Sequence, residues 1–240
     1  MTLLARDEAD IIEGQIRFHL AAGVDFFIVT DHGSCDGTTE ILSRLAHEGV
    51  AHVIREDGAT LRQSEWVTRM ARLAALEHGA DWVINSDADE FWLPSGGGLK
   101  QVLSLMPERI GVVETFVRPF LPHDGPEPFH QRMVFRLTAR AAINDPSSPF
   151  RVNTRLLHRA DGRVTVGTGN TSISGFRRPR LTGWAPVEVL HFPIRSFAHF
   201  ERKFLAHFHT VEAKRRDHIR AHEAASAGRL AELYAEICVG

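Results

Sequence analysis

The sequence has few cysteines and no long apolar run, and each absence excludes a class of protein. Its 240 residues include only Cys35 and Cys238, which lie far apart. We expect both to be reduced thiols in a cytosolic protein rather than part of a disulfide framework. No apolar run approaches the roughly 20 residues that a membrane span needs. The sequence also lacks a charged and then apolar leader, so we expect a protein that is not exported.

Repeats, low-complexity tracts and a basic stripe interleaved with aromatic residues are also missing. The sequence pI of about 6.7 is near neutral, and we therefore expect no nucleic-acid partner. Apolar residues make up 43% of the chain, which is enough to form a core and excludes a disordered or fibrous protein.

The charges are distributed unevenly along the chain. Residues 1–100 contain 8 Lys and Arg against 17 Asp and Glu, whereas residues 118–180 contain 11 Arg, no Lys and 4 acids. An acidic part beside an arginine-rich part suits an anionic ligand held between metal-bound carboxylates and guanidinium groups. A general preference of the genome for Arg and Ala is the alternative explanation.

Strand and helix patterns alternate regularly in the first part of the chain. Short apolar stretches are separated by segments with apolar residues at helical spacing, and several of these segments end at Gly. This alternation predicts an α/β fold with a mainly parallel central sheet and helices on both faces. The predicted elements are a strand at 2–5, a helix at 8–22, a strand at 25–30, a helix at 37–49, a strand at 51–55, a helix at 62–78 and a strand at 81–85.

The pattern changes after about residue 107. We predict strands at 110–120, 133–137 and 187–193, and a C-terminal helix in which Phe197 to Val211 supply an apolar stripe. We therefore expect one domain with a ligand-binding half at 1–106, a smaller mixed region at 107–196 and a helical segment at 197–240. The C-terminal helix could pack on a second copy or lie at the inner face of a membrane, and the oligomeric state is open.

Two acidic loops follow predicted strands, namely "TDHGSCDGT" (30–38) and "SDADE" (86–90). In a parallel sheet, ligands bind beyond the carboxyl ends of the strands. Asp87 and Asp89 stand at i and i+2, so in extended backbone both carboxylates would leave on one face. Two such charges require a cation, and we predict Mg²⁺ or Mn²⁺ completed by substrate phosphates. We expect Glu90 to orient this loop.

The other acidic loop contains two acids of different expected roles. Asp31 lies at the mouth of the sheet, where it could hold a ribose or a base. Asp36 precedes a predicted helix, and capping of that helix is its expected role.

The stretch "LLARDEADIIEGQIRFHLAAGVDFFIVTDHGSCDGTTEIL", followed by "WVINSDADEFW", resembles the family-2-like glycosyltransferases of GT-A fold. The resemblance is to a compact bacterial branch with a DxDEF motif. It covers residues 2–95 well and continues in patches, in "RLLHRADGRVTVGTGN" and "LHFPIRSFAHFERK".

This resemblance implies a GT-A-type nucleotide-diphospho-sugar transferase fold and a metal-dependent, hexosyltransferase-like enzyme. The donor would be a nucleotide-diphospho-sugar, and the acceptor an unknown glycan or other hydroxyl compound in cell-surface or extracellular polysaccharide synthesis. The implied metal ligands are Asp87, Asp89 and His191. The implied nucleotide-sugar-binding residues are Arg6, Asp7, Glu8, Asp31, Asp87 and Arg195.

The sequence departs from the family pattern at two positions. Relatives usually have Asn where this chain has Asp7, in a loop that would touch the nucleotide. They often have His after the Gly–Asn pair, whereas Thr171 follows here. If that His acts in catalysis, its role is absent or displaced in this chain.

An inverting transferase needs a carboxylate that deprotonates the acceptor hydroxyl. Asp124, in "LPHDGPEPF", is the first candidate and Glu114 the second, and a surface or structural acid is the alternative for each.

Three other classes of protein compete with a glycosyltransferase. A catalytically degenerate module that binds a nucleotide sugar without turnover stays open because of the departure at Thr171. A nucleotidyltransferase would carry a Gly-rich loop with Lys or Arg after its first strand, whereas "ARDEAD" is acidic. A haloacid-type phosphatase would place the DxD after the first strand and have Thr or Val where Phe91 stands.

Overall fold

The computed structural model describes residues 1–58, 60–136, 153–175, 177–182, 186–205 and 216–239. The chain divides into two compact units. One comprises Met1–Val117 and Arg140–Leu190, and the other Arg118–Ala139 and His191–Gly240. These units do not coincide with the expected segments 1–106, 107–196 and 197–240, and the single-domain organisation stays a prediction.

A large sheet of nine strands, counted in the described residues, forms the framework. The strands of the structure are β1 (Thr2–Ala5), β2 (Phe27–Asp31), β3 (Ala51–Arg55), β4 (Trp82–Asp87), β5 (Glu90–Pro94), β6 (Val112–Pro119), β7 (Thr154–Arg159), β8 (Thr165–Val166), β9 (Ile173–Ser174), β10 (Arg180–Leu181) and β11 (Val187–His191). Eight of them run in the order β3-β2-β1-β4-β7-β6-β11-β5, with β10 beside β6. Strands β8 and β9 form a separate antiparallel hairpin.

The sheet is parallel where the alternating sequence pattern predicts it. Strands β3, β2, β1 and β4 pair in parallel. The direction changes at β7, which is antiparallel to both β4 and β6. Since β7 follows β6 in the chain, an antiparallel pair here needs no crossover helix.

Helices cover both faces of this sheet. The helices of the first unit are α1 (Ile12–Ala21), α2 (Thr38–His47), α3 (Gln63–Leu76) and α4 (Leu99–Ser104). The second unit contains α5 (Phe129–Arg132), α6 (Phe197–Leu205), α7 (Arg216–Ser226) and α8 (Leu230–Val239). Val83 of β4 packs with Met70 of α3. The next residue, Ile84, packs with Leu103 of α4. Because successive strand residues face opposite sides, α3 and α4 lie on opposite faces, and the predicted fold class is confirmed.

The second unit has its own apolar core, built from helices α6, α7 and α8. Its buried side chains include Ile194, Phe200, Leu233 and Tyr234. The predicted apolar stripe is present at the start of α6. Its later members, Phe208 and Val211, lie outside the described residues.

The prediction of a strand at 133–137 is wrong over residues 133–136, which are the part of it that the structure describes. Pro128 and the short helix α5 precede it, and Arg132 donates hydrogen bonds to the carbonyl oxygens of His123 and Glu127. These bonds fold the chain back on itself. The only sheet-like pairing left here is a single bridge between Phe120 and Arg136.

No helix among the described residues is long and apolar enough to cross a membrane. Both cysteines are free thiols, as expected.

Candidate active site

The carboxyl ends of β2 and β4 flank the end of β1. Leu4 of β1 pairs with Thr30 of β2 on one side and with Asp87 of β4 on the other. Ala5 pairs with Asp31. Both acidic loops therefore begin at one edge of the sheet, as the sequence predicts.

Hydrogen bonds join the loop after β1 to the loop after β2. The backbone N–H groups of Asp7 and Glu8 donate to Ser34 Oγ at 3.0 Å and Thr38 Oγ1 at 2.9 Å. In return, Cys35 N–H donates to Asp7 Oδ1 at 2.8 Å. Asp7 has a φ of 54°, a left-handed conformation that Asp and Asn tolerate better than most residues. The expected nucleotide-contacting segment is thus a braced loop.

Asp31 is buried and accepts hydrogen bonds on both carboxylate oxygens. Ser34 N–H donates to Oδ1 at 3.0 Å and Thr39 Oγ1 donates to Oδ2 at 2.6 Å. These bonds give Asp31 a role in shaping its own loop, and its contact with a ribose or a base stays a prediction.

Asp36 secures the start of α2 from the position before the N-cap, which is Gly37 and not Asp36 as expected. Its Oδ1 accepts hydrogen bonds from the backbone N–H and the hydroxyl of Thr38, and its Oδ2 accepts one from Ala9 N–H. Partial burial would raise the pKa of the carboxyl, but these hydrogen bonds outweigh it and lower the pKa.

Asp87 and Asp89 lie close in sequence but not in one extended segment. Asp87 ends β4, whereas Ala88 and Asp89 form a turn and Glu90 begins β5. The prediction that strand alternation aligns the two carboxylates is therefore wrong. Glu90 is fully buried, and its Oε2 accepts a hydrogen bond from Asp87 N–H at 3.3 Å. This bond closes the turn, which is the orienting role expected for Glu90.

Arg155 of β7 supplies a positive charge that the sequence analysis missed. Its Nε lies 2.7 Å from Glu90 Oε1, and one Nη lies 3.9 Å from Asp87 Oδ2. Burial would lower the pKa of Arg155, but the charges of Glu90, Asp87 and Asp89 outweigh it and raise the pKa. Three carboxylates thus face one guanidinium.

Asn170 is a second residue that the sequence analysis did not assign. Its Nδ2 donates to Asp87 Oδ1 at 3.3 Å, and its side chain is buried. It lies in the short 3-10 turn Thr168–Asn170, which α3 holds because Gly169 N–H donates to Gln63 Oε1. The Gly–Asn pair signals a turn in the sequence, but nothing in it indicates contact with a residue 83 positions away.

A buried polar network supports the acidic turn from behind. The Trp92 indole donates to Ser86 Oγ at 2.9 Å, and Ser86 Oγ donates to the Asp87 carbonyl oxygen at 3.1 Å. Trp92 N–H donates to His19 Nε2 at 2.9 Å, and His19 Nδ1 donates to the Gln15 carbonyl oxygen. Burial lowers the pKa of His19 to about 3, so the ring is neutral at physiological pH.

The acidic turn has a ligand set that suits one divalent cation completed by other oxygen ligands. Its carboxylate oxygens are the hard ligands that Mg²⁺ and Mn²⁺ prefer. Among the described residues, no three or more His, Cys, Asp and Glu side chains are grouped so that they could hold a metal ion by themselves.

The other predicted site residues are distributed over both units. Glu114 lies on β6 opposite Leu156, whereas Arg155 pairs with Thr115, so the sheet register places Glu114 and Arg155 on opposite faces. The remaining candidates, Asp124, His191 and Arg195, belong to the second unit.

The candidates of the second unit have contacts within that unit. Asp124 is exposed and accepts a hydrogen bond from Tyr234 at 3.0 Å. His191 ends β11, and its carbonyl oxygen accepts from Phe120 N–H. Arg195 is buried, with Nη1 donating to the Phe192 carbonyl oxygen. Their roles toward a metal, a phosphate or an acceptor stay predictions.

No family model matches the chain, and no curated protein matches it. Among solved structures, it is similar to S. aureus TarS with 14% identity and a TM-score of 0.35, over 52% of this chain and 22% of that one. A structure of S. aureus TarS residues 1–349 matches with 13% identity and a TM-score of 0.43, over 78% of this chain and 58% of that one. The chain therefore spans less than two thirds of either structure, and likeness at this level defines neither a family nor an activity.

Proposed function

We propose that the protein is a metal-dependent glycosyltransferase of GT-A type that moves a sugar from a nucleotide-diphospho-sugar to a hydroxyl acceptor. The observation that carries this proposal is the position of Asp87 and Asp89. Asp87 ends β4 and Asp89 follows it, at the edge where the braced loops after β1 and β2 also begin. An α/β sheet binds its ligand at this edge.

Asp87 and Asp89 are the proposed ligands of Mg²⁺ or Mn²⁺. When bound, the ion would act as a Lewis acid on the leaving diphosphate. Mg²⁺ commonly uses one or two protein carboxylates together with substrate phosphates, which agrees with the small ligand set of this turn.

Neighbouring residues prepare the acidic turn for this role. Glu90 fixes the Asp87 backbone, and Arg155 offsets one of the three carboxylate charges. The braced loop of Arg6, Asp7 and Glu8 would contact the nucleotide, because it leaves β1 beside Asp87.

Residues of the acceptor side are proposed on the resemblance and on their chemistry. Asp124 is the first candidate for the base that deprotonates the acceptor hydroxyl, and its exposed carboxylate is accessible to such a group. Glu114 is the second candidate. His191 and Arg195 are proposed to contact the metal and the diphosphate.

The test of the metal assignment is Asp89→Asn, which removes one charge with little change in shape. Isothermal titration of the chain with Mn²⁺, alone and with UDP or GDP, should show binding to the wild type and a loss in the variant. Asp25→Asn is the matched control, because this exposed acid precedes β2 at the other edge of the sheet. Equal affinity in wild type and Asp89→Asn would overturn the metal assignment.

The alternative is a module that binds the nucleotide sugar without turnover. The observation behind it is Thr171, an exposed residue whose hydroxyl donates to the Thr168 carbonyl oxygen, at the position where relatives often have His. Release of nucleoside diphosphate from a panel of donor sugars separates the two functions. Slow release from one donor supports the enzyme, whereas tight binding without release from any donor supports the module.

A further inference from the structure

Asn170 combines three features that a merely structural turn residue does not require. It is 1% exposed, its φ is 58°, and its amide contacts a carboxylate of the acidic turn. Its neighbour Gly169 has a φ of 70°, so two left-handed residues follow each other. Glycine would adopt this conformation at a lower cost, and the side chain therefore has a purpose besides the backbone.

The Asn170 amide has one oxygen and one nitrogen, and only the nitrogen has a partner. Nδ2 donates to Asp87 Oδ1 at 3.3 Å. No donor among the described residues forms a hydrogen bond with Oδ1, although this oxygen is buried. An unsatisfied buried acceptor destabilises the folded state, and a ligand at this position would remove that cost.

The location of this oxygen determines the kind of ligand that suits it. One carbon joins Oδ1 to Nδ2, so Oδ1 lies within a few Å of the Asp87 carboxylate. An amide oxygen beside the Asp87 carboxylate is a hard oxygen ligand of the kind that Mg²⁺ and Mn²⁺ prefer. Asp87, whose carboxylate accepts from the same amide, is already a proposed ligand of that ion. A cation therefore suits this place better than a neutral hydroxyl donor.

We propose that Asn170 is a further cation-binding residue of this site, in which Oδ1 is a ligand while the amide positions Asp87. The inference rests on the proposed function, since it takes the ion at Asp87 and Asp89 as given. It adds a protein ligand that comes from the turn after β8, and the backbone of this turn is held by α3. Thr68 of α3 both accepts from Val166 N–H and donates to the Val166 carbonyl oxygen, which holds this turn in place.

The test is Mn²⁺ affinity, measured by titration calorimetry on the full chain without nucleotide. Asn170→Gly keeps the left-handed backbone and removes the amide, and we expect its affinity to fall about tenfold or more. Asn170→Asp keeps an oxygen at the same place and adds a charge, so it should bind Mn²⁺ at least as tightly as the wild type. Its melting temperature should fall in chelator and recover with Mn²⁺. Thr171→Ala, at the exposed neighbour, is the matched control and should bind like the wild type.

The outcomes separate this inference from the function on which it rests. Wild-type affinity in both Asn170 variants, with binding lost in Asp89→Asn, would overturn the role of Asn170 and leave the metal assignment intact. Absence of Mn²⁺ binding to the wild type would overturn both. If Asn170→Gly does not fold, Asn170→Asp decides through the rise in melting temperature that Mn²⁺ produces, and a rise smaller than that of the wild type would overturn the role of Asn170.

Discussion

The guanidinium of Arg155 lies 2.7 Å from the carboxylate of Glu90, Nε to Oε1, and the Glu90 side chain has no solvent exposure. This ion pair joins β7 to the first residue of β5, two strands that are not neighbours in the sheet. Glu90 in turn holds the backbone of Asp87. The shape and the charge of the acidic turn therefore both depend on one arginine.

Removing one member of this pair should destabilise the fold. Glu90→Gln leaves a buried guanidinium without its main charge partner, and we expect the free energy of unfolding to fall by about 3 kcal/mol. Urea denaturation measures this. The double variant Glu90→Leu with Arg155→Met removes both charges and should lose less than the single variant. Glu48→Gln, which removes an exposed partner of Arg17, is the control and should have a much smaller effect. A double variant less stable than Glu90→Gln would contradict this account.

Two buried histidines should make the stability depend on pH. Burial lowers the pKa of His19 to about 3 and that of His158 to about 4, whereas the ordinary value is 6.5. Below pH 6.5 the unfolded chain binds protons that the folded chain does not. The stabilisation is therefore complete above about pH 6.5 and is lost as the pH falls towards 4 and then 3. Each ring contributes a slope of up to about 1.4 kcal/mol per pH unit.

His19→Gln tests the contribution of the first ring. The amide retains an acceptor for Trp92 N–H but does not titrate, so the variant should lose less stability between pH 6.5 and 4 than the wild type does. Urea denaturation at several pH values gives both slopes. His47→Gln, at an exposed helical position, is the control and should keep the wild-type slope. An unchanged slope in His19→Gln would exclude this ring as a source of the pH dependence.

The sequence predicts features that depend on local pattern and fails where distant contacts decide. Strands β1 and β3 have the predicted bounds, because apolar runs between turn residues are a local signal. The sequence does not predict strand β5, because its first residue, Glu90, is an acid. Burial of this carboxylate depends on its ion pair with Arg155.

The candidate site also combines features that local sequence pattern predicts with features that depend on distant contacts. The shared edge of the two acidic loops is predictable, since parallel strands place their carboxyl ends together. The turn at Asp89 and the contacts of Arg155 and Asn170 with Asp87 are not predictable, because they depend on the antiparallel strand β7 and on the turn after β8. No local pattern in one sequence encodes a pairing over such a separation.

Ser86 links the buried Trp92 to the acidic turn by hydrogen bonds. Removal of its hydroxyl should therefore lower the free energy of unfolding. Ser86→Ala leaves the buried indole N–H without its acceptor, and we expect a loss of about 1–3 kcal/mol in the free energy of unfolding. Chemical denaturation followed by circular dichroism measures it. Ser104→Ala, which removes an exposed hydroxyl from the end of α4, should be close to neutral. Equal effects of the two substitutions would show that another group satisfies the indole.

The charge of Asp7 should be measurable through the thiol of Cys35. Asp7 raises the pKa of this exposed thiol, first through its charge and then through the contact with Oδ1. Asp7→Asn removes the charge but keeps an oxygen for Cys35 N–H and a side chain that tolerates positive φ. The thiol pKa should therefore fall, and alkylation by iodoacetamide at pH 7.5 should become faster because the thiolate is the reactive form.

This measurement is made in a Cys238→Ser background, so that one thiol reacts, with Asp25→Asn as the control for a distant exposed acid. An unchanged rate in Asp7→Asn would show that the charge does not influence the thiol. A faster rate would show that the Asp7 carboxylate acts as a negative charge on this loop. A diphosphate beside that loop would be repelled by the same charge. Asp7→Asn should then also tighten the binding of UDP or GDP in the presence of Mn²⁺, and titration calorimetry measures this directly.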